Sequence, residues 1–177
     1  MRELGDRKGA KLKQQGFATV AVAAAASVGD VIVLAVPWEA VPETLNALGS
    51  LDGKIVVDAS NPLTRDLELA LGFDDSAGET VARLAPRARV VKAFNTTGSG
   101  NMADSRYGGG KLMMAIAGDD VAAKNVVLAL ATDLGFEAID AGPLAMSRNI
   151  EPLAVLWIRL AYAQKLGTDF GFSLLRR

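Results

Sequence analysis

The chain contains neither cysteine nor histidine. Their absence excludes cysteine–histidine nucleophile pairs, imidazole general bases, thiolate metal sites and the common zinc ligand sets. A serine hydrolase is disfavoured for the same reason, because neither Ser60 nor Ser99 has a histidine to act as its base. Any chemistry must therefore depend on carboxylates, hydroxyls, lysines or a bound cofactor, and we predict neither a catalytic side chain nor a metal site.

The sequence also has no excess of basic residues, and it has no uninterrupted apolar segment long enough to span a membrane. The 19 Lys and Arg residues are balanced by 20 Asp and Glu residues, which disfavours a nucleic-acid partner. The apolar run at residues 17–28 follows a basic stretch and so resembles a signal peptide, but it is rich in alanine and its basic stretch is interrupted by Glu3 and Asp6. A longer span would include Asp30, at a cost of about 3 kcal/mol at the bilayer centre. We expect a cytoplasmic protein that does not bind membranes.

The 177 residues, half of them apolar, are enough for one domain with a proper core. Short β-branched runs bounded by turn residues predict strands at 31–36, 54–58, 89–94, 111–117 and 136–140. Helical spacing predicts helices at 38–48, 79–85, 120–134 and 148–164. The alternation indicates an α/β domain, and the near-continuous apolar strands are typical of a parallel sheet covered on both faces.

Polar residues follow three of the predicted strands, where an open parallel sheet binds its ligands. Asn61-Pro62 follows the second strand and is explained equally well as a turn or as a ligand contact. The run from Asn95 to Thr97 follows the third strand and offers amide and hydroxyl groups beyond what a turn requires, so we favour a binding role for it. Trp38, at a helix start, is more typical of a packing residue.

Three segments in order resemble the NADPH-dependent deazaflavin (coenzyme F(420)) reductases: VIVLAVPW at 31–38, KIVVDASNPL at 54–63 and VVKAFNT at 90–96. The last two segments are also similar to motifs in the reductase domains of the STEAP metalloreductases. Segments 117–120, 140–144 and 156–160 are similar to bacterial members of the group, so the resemblance extends over about residues 20–177.

The resemblance implies a Rossmann-like, doubly wound and mostly parallel sheet in a single NADP-binding domain at 1–177, with 148–177 as a C-terminal helical dimerisation segment. It implies hydride transfer between NADPH and a small-molecule acceptor, which is a deazaflavin, a flavin or a similar redox cofactor, in a homodimer. Such a transfer needs positioning more than a protein acid or base. The implied cofactor-binding residues are Arg2, Ala35, Val36, Pro37, Asn61, Pro62, Ala93, Asn95, Thr96 and Thr97.

The chain departs from the family pattern at its start. Family members begin with a strand, a G-x-G-x-x-G turn, a helix and a second strand, and no such segment precedes Leu4. We therefore expect a domain truncated at its N-terminus relative to the family, in which the strand at 31–36 needs a new neighbour. Either a strand at 17–22 or a second subunit could pair there. The alternative function is a noncatalytic Rossmann-like remnant that acts as a dimeric interaction protein.

Overall fold

The computed structural model describes residues 11–108 and 110–177. Its central sheet has five strands: β1 (Val31–Leu34), β2 (Ile55–Asp58), β3 (Arg89–Lys92), β6 (Met113–Gly118) and β7 (Glu137–Gly142). They lie side by side in that order, and every neighbouring pair is parallel except β3 and β6. The predicted mostly parallel α/β sheet is therefore confirmed, and each predicted strand is present with its ends shifted by up to two residues.

The helices are α1 (Val22–Val28), α2 (Val41–Leu48), α3 (Ala77–Leu84), α4 (Gly100–Ala103), α5 (Val121–Asp133) and α6 (Ser147–Ile158). A 3-10 turn at Trp38–Ala40 precedes α2, and a π-helical turn at Arg159–Ala163 follows α6. The four predicted helices are thus present, although the second starts two residues earlier and the last changes its winding after Ile158. Trp38 packs against the core, as expected of an aromatic residue at a helix start.

Both faces of the sheet bury apolar side chains, as the continuous apolar strands predict. Val56 and Val90 point into one core, which α1, α2 and α3 complete. Their neighbours Val57 and Val91 point into the other core, where they meet Val127 of α5. Helix α5 packs on β3, β6 and β7. The side of the sheet that α5 covers therefore ends before β1.

Within the described residues, strand β1 pairs with β2 alone. Val33 of β1 is in register with Val57 of β2, which is in register with Val91 of β3. Val57 and Val91 are fully buried, whereas Val33 is 54% exposed. The outer edge of β1 and the sheet face above it are therefore open in this part of the chain.

Of the two alternatives for the neighbour of β1, the strand at 17–22 is wrong. Residues 17–21 have no regular structure, and Val22 begins helix α1. The reason is composition, because α1 has four consecutive alanines and alanine is the best helix former.

Sequence analysis also missed a small hairpin of β4 (Arg106–Tyr107) and β5 (Gly110–Lys111), whose strands are too short for a periodic signal.

The start of α5 gives a test of these assignments. The Asp120 carboxylate accepts a hydrogen bond from the backbone N–H of Ala123 at 2.7 Å, as an N-cap does. We expect Asp120→Ala to lower the free energy of unfolding by about 1 kcal/mol, measured by urea denaturation. The matched control is Asp133→Ala at the other end of α5. It removes an acid from the negative end of the helix dipole and should not lower the free energy of unfolding. Equal losses in the two variants would contradict the cap.

Candidate functional site

A cavity of about 460 Å³ opens at the carboxyl ends of β1, β2 and β3. Such a position is where open parallel sheets bind ligands, and the volume is in the usual range for small-molecule sites. Its lining is mostly apolar with a few polar groups. The lining residues are Val33, Ala35, Ala59, Asn61, Phe94, Asn95, Thr97, Ser99, Met102, Leu130 and Leu134.

The cavity brings together part of the set of site residues predicted from sequence. Ala35, Asn61, Asn95 and Thr97 line it. The remaining described members of that set do not line it: Pro62, Ala93 and Thr96 are buried, Val36 is half-buried and Pro37 is exposed. Arg2 lies outside the described residues. The polar loops after β2 and β3 therefore meet at one site, as their position after neighbouring parallel strands predicts.

Asn61 and Asn95 hold these two loops together by a reciprocal pair of hydrogen bonds. The Nδ2 amide of Asn61 donates to the backbone carbonyl of Asn95 at 3.1 Å, and the Nδ2 amide of Asn95 donates to Oδ1 of Asn61 at 3.0 Å. A backbone carbonyl can only accept, so it fixes the orientation of Asn61, which in turn fixes that of Asn95. Among the described residues, no group hydrogen-bonds Oδ1 of Asn95, which is buried. A buried acceptor of this kind is uncommon in proteins.

The loop after β3 begins with an unusual backbone. Phe94 has φ 61°, a left-handed conformation that costs free energy in a non-glycine residue. Its N–H points to the sulfur of Met114 at 3.1 Å, and the Thr96 hydroxyl lies 4.0 Å from the same atom. Sequence analysis would treat Met114 only as core filler. Its soft sulfur instead supports the turn that directs the loop toward the cavity.

The far end of the same loop is fixed by an aromatic pair. The Trp157 ring stacks on Phe170 with centroids 5.2 Å apart, and its Nε1–H donates to the Phe170 carbonyl at 2.9 Å. Asn101 donates to that carbonyl and to the Thr97 hydroxyl, at 2.9 and 2.7 Å. The loop from Phe94 to Gly100 is therefore attached at both ends, by β6 and by the C-terminal segment.

A fully buried ionic cluster lies beneath the cavity loops. The Lys92 ammonium donates to Oδ2 of Asp58 at 2.8 Å and to the Ser60 carbonyl at 2.6 Å, and it lies 2.9 Å from Oε1 of Glu151. Lys92 and Asp58 are fully buried and Glu151 is 1% exposed. Glu151 also accepts the N–H groups of Ala77 and Gly78, at 3.0 and 3.1 Å, at the start of α3. The cluster thus joins β2, β3, α3 and α6.

Sequence analysis missed this cluster, although a signal was present. Asp58 and Lys92 each end an apolar strand, and charged residues are almost never fully buried unless they are paired. Glu151 carried no such signal, because its partners lie more than fifty residues away along the chain.

Within the described residues, no group of three or more acidic side chains is arranged to hold a metal ion. None of the helices in that part of the chain has the length and apolar character needed to cross a bilayer.

Burial raises the pKa of Glu151, and this outweighs the nearby Lys92 and the two backbone N–H groups, which lower it. Because the folded state binds this proton more tightly than the unfolded state, Glu151 makes its full contribution to the free energy of unfolding below its ordinary pKa of 4.5. That contribution is lost as the pH rises through the raised value. We therefore expect the free energy of unfolding of the native chain, relative to Glu151→Gln, to fall as the pH rises from about 4 towards neutrality, by at most about 1.4 kcal/mol per pH unit. Urea denaturation at a series of pH values measures the slope.

Glu79 is the control for this measurement. A hydrogen bond from Arg148 lowers the pKa of Glu79, so its contribution is present above pH 4.5 and is lost as the pH falls. Relative to Glu79→Gln, the native chain should therefore gain stability as the pH rises. Slopes of the same sign for both comparisons would contradict the assignment for Glu151.

Gly98 gives a test of the packing under the loop. A Cβ atom at this position would lie 2.6 and 3.0 Å from Cη2 and Cζ2 of the Trp157 ring, which its stacking and hydrogen bond prevent from moving. We expect Gly98→Ala to lower the free energy of unfolding by about 1–3 kcal/mol. In the control Gly100→Ala, no atom lies within 4 Å of the added Cβ, and little change is expected. A Gly98→Ala variant as stable as the control would show that the ring does not fix the loop.

Comparison with known proteins agrees with this architecture. A family model described as NADP oxidoreductase, coenzyme F(420)-dependent, matches residues 3–62. The metalloreductase STEAP3 of Rattus norvegicus is 35% identical over 150 residues, which are 85% of this chain and 29% of that protein. The F(420)-dependent NADP reductase of Methanocaldococcus jannaschii is 34% identical over 143 residues, which are 77% of this chain and 64% of that protein. The chain therefore spans less than two thirds of the length of either curated relative.

The likeness extends to three dimensions. The crystal structure of a proposed F(420)-dependent NADP reductase from Arthrobacter sp. FB24 is 35% identical and superposes with a TM-score of 0.82, covering 89% of this chain and 74% of that one. Sequence identity and fold agree over most of both chains. The chain therefore belongs to the coenzyme F(420)-dependent NADP oxidoreductase family and has a Rossmann-like α/β fold.

Proposed function

We propose that the chain is an NADP-dependent oxidoreductase that transfers hydride between NADPH and a deazaflavin, a flavin or a similar acceptor. The observation that carries the proposal is the cavity at the carboxyl ends of three parallel strands, lined by polar loops, in a member of this family. The fold alone would not support it, because one fold hosts many functions.

The residues at the cavity fit the nicotinamide end of the cofactor. A carboxamide group has N–H donors, and the buried Oδ1 of Asn95 is an acceptor that has no donor among the described residues. Asn61 and Thr97 add polar groups on the same wall, and Ala35 leaves room for a flat ring. We assign the contacts to these four residues, and we assign Val36, Pro37, Pro62, Ala93 and Thr96 to the support of their loops. Arg2 enters the proposal from the sequence alone, as a partner for the 2′-phosphate.

When bound, NADPH supplies the hydride, and the protein supplies position and a dry environment. Much of the remaining lining is apolar and includes Val33, Met102, Leu130 and Leu134. An apolar wall excludes water from a cofactor ring and from an acceptor placed against it. A chain without histidine or cysteine suits this task, because hydride transfer between two rings depends on their alignment more than on a protein acid or base.

The acceptor is proposed as a deazaflavin because two similar proteins bear that cofactor in their names, whereas STEAP3 is named a metalloreductase. A flavin is the runner-up, since it presents a similar flat ring. We further propose a cytoplasmic homodimer that pairs through residues 148–177, where Leu156, Tyr162 and Leu166 are exposed on and after α6.

The open edge of β1 favours a second candidate, which is a noncatalytic protein that acts through its interfaces. Val33 is 54% exposed beside that edge, and a strand edge that has no partner among the described residues is suited to pairing with another chain.

A titration with NADPH, followed by nicotinamide fluorescence, separates the two functions. We expect saturable binding that is tighter for NADPH than for NADH. Asn61→Ala should raise Kd about tenfold, because it removes a polar contact and releases Asn95. The control Asn46→Ala changes an exposed amide on α2 and should leave Kd unchanged.

Saturable binding would justify assays of NADPH oxidation with a deazaflavin and with a flavin as acceptors. If the folded chain does not bind NADPH up to millimolar concentration, the oxidoreductase proposal is wrong and the interaction protein is favoured.

A further inference from the structure

We infer that Lys92 is a positioning residue for the cavity, because it sets the orientation of the Asn61–Asn95 amide pair through the backbone of Ser60. The inference deepens the proposed function and rests on it for the binding part of its test. Neither Lys92 nor its partners line the cavity, so Lys92 acts through other residues.

Stability alone is a weak explanation for the cluster. Taking two carboxylates and one ammonium out of water costs several kcal/mol per ion, and well-packed apolar residues of similar size often serve as well or better. Three charged groups with almost no exposure therefore suggest a role that apolar side chains could not fill, which is to fix a particular geometry.

The cluster stands at equivalent places on two strands. Asp58 and Lys92 are the last residues of β2 and β3 and are partners in the sheet register. Three residues after each of them comes an asparagine of the pair, Asn61 after Asp58 and Asn95 after Lys92. The ion pair thus joins the two strands just before the loops that carry the cavity amides.

The ammonium of Lys92 donates hydrogen bonds to Asp58 and to the Ser60 carbonyl, and it forms an ion pair with Glu151 at 2.9 Å. The peptide plane that links Ser60 to Asn61 is therefore held at its oxygen. Asp58 Oδ1 holds the other side of Ser60, accepting its backbone N–H at 2.9 Å and its hydroxyl at 2.6 Å. With both its N–H and its carbonyl fixed, Ser60 leaves Asn61 little freedom.

Asn61 then passes this constraint to Asn95. Its Nδ2 donates to the Asn95 carbonyl, and its Oδ1 accepts from the Asn95 side chain. The result is that Oδ1 of Asn95 has no donor among the described residues. Loss of the Lys92–Ser60 hydrogen bond frees the Ser60–Asn61 peptide to rotate, and the amide pair loses its defined orientation.

The test compares two variants that differ only at residue 92, where one keeps the ammonium and the other lacks it. Glu151→Gln keeps the Lys92–Ser60 bond and is the reference. The double variant Lys92→Met/Glu151→Gln removes that bond and retains the cluster charge of the native chain, because one positive and one negative group are lost together. Leu45→Ala, in the core on the sheet face opposite the cavity, controls for loss of stability.

Two measurements are made on each variant: the Kd for NADPH and the NMR signals of the Asn61 and Asn95 side-chain amides. We expect the double variant to bind about tenfold more weakly than the reference and to shift or broaden both amide signals. We expect Leu45→Ala to change neither. A double variant with the Kd and the amide signals of the reference would overturn the inference.

The NMR measurement needs no cofactor, so it separates the two proposals. If the native chain does not bind NADPH, the proposed function fails, and the amide signals alone decide whether Lys92 positions the pair. If the double variant does not fold, Lys92→Gln/Glu151→Gln takes its place. It keeps a polar side chain in the cluster, but that side chain is one atom shorter than lysine and lacks the ammonium that donates to the Ser60 carbonyl at 2.6 Å. It should shift both amide signals and raise Kd about threefold. Unchanged amide signals in that folded variant would overturn the inference.

Discussion

The buried Lys92 ammonium, shared between Asp58 and Glu151, is the interaction on which the site depends. It joins the ends of two neighbouring strands and brings α6 against the start of α3, where Glu151 accepts two backbone N–H groups. Charges in such a place are tolerated only when every donor and acceptor is satisfied, so the cluster admits one geometry. The loops that begin just above it inherit that geometry.

The sheet has a closed side and an open side, and the site lies at their boundary. Helix α5 covers β3, β6 and β7, and it leaves Val33 of β1 exposed. The cavity has formed where this cover ends, between the polar loops after β2 and β3 and the apolar residues of α5. A flat redox ring needs the same combination, which is a polar edge to orient it and an apolar face to exclude water.

The strands and helices that depend only on short stretches of sequence were predictable. The β-branched runs gave all five strands of the sheet, and the acids at 119–120 with Gly135 gave the bounds of α5 to within one residue. That Asn61, Asn95 and Thr97 lie together at the cavity was predictable, because position after a parallel strand is itself a local property. The strand at 17–22, one of two alternatives for the neighbour of β1, does not form, because the four alanines after Val22 favour a helix that starts at Val22.

The sequence by itself determined the α/β class, the order of the strands along the chain and the loops that carry polar groups, since each follows from periodicity and turn chemistry over short windows. Only the tertiary structure decided that Glu151 reaches Lys92, that Trp157 and Phe170 hold the loop after β3, and that Met114 supports Phe94. These contacts join residues distant in the chain, and they depend on how α6 and the C-terminal segment pack. No short-range pattern encodes that packing, because the apolar stripe of one helix can pack against several different partners.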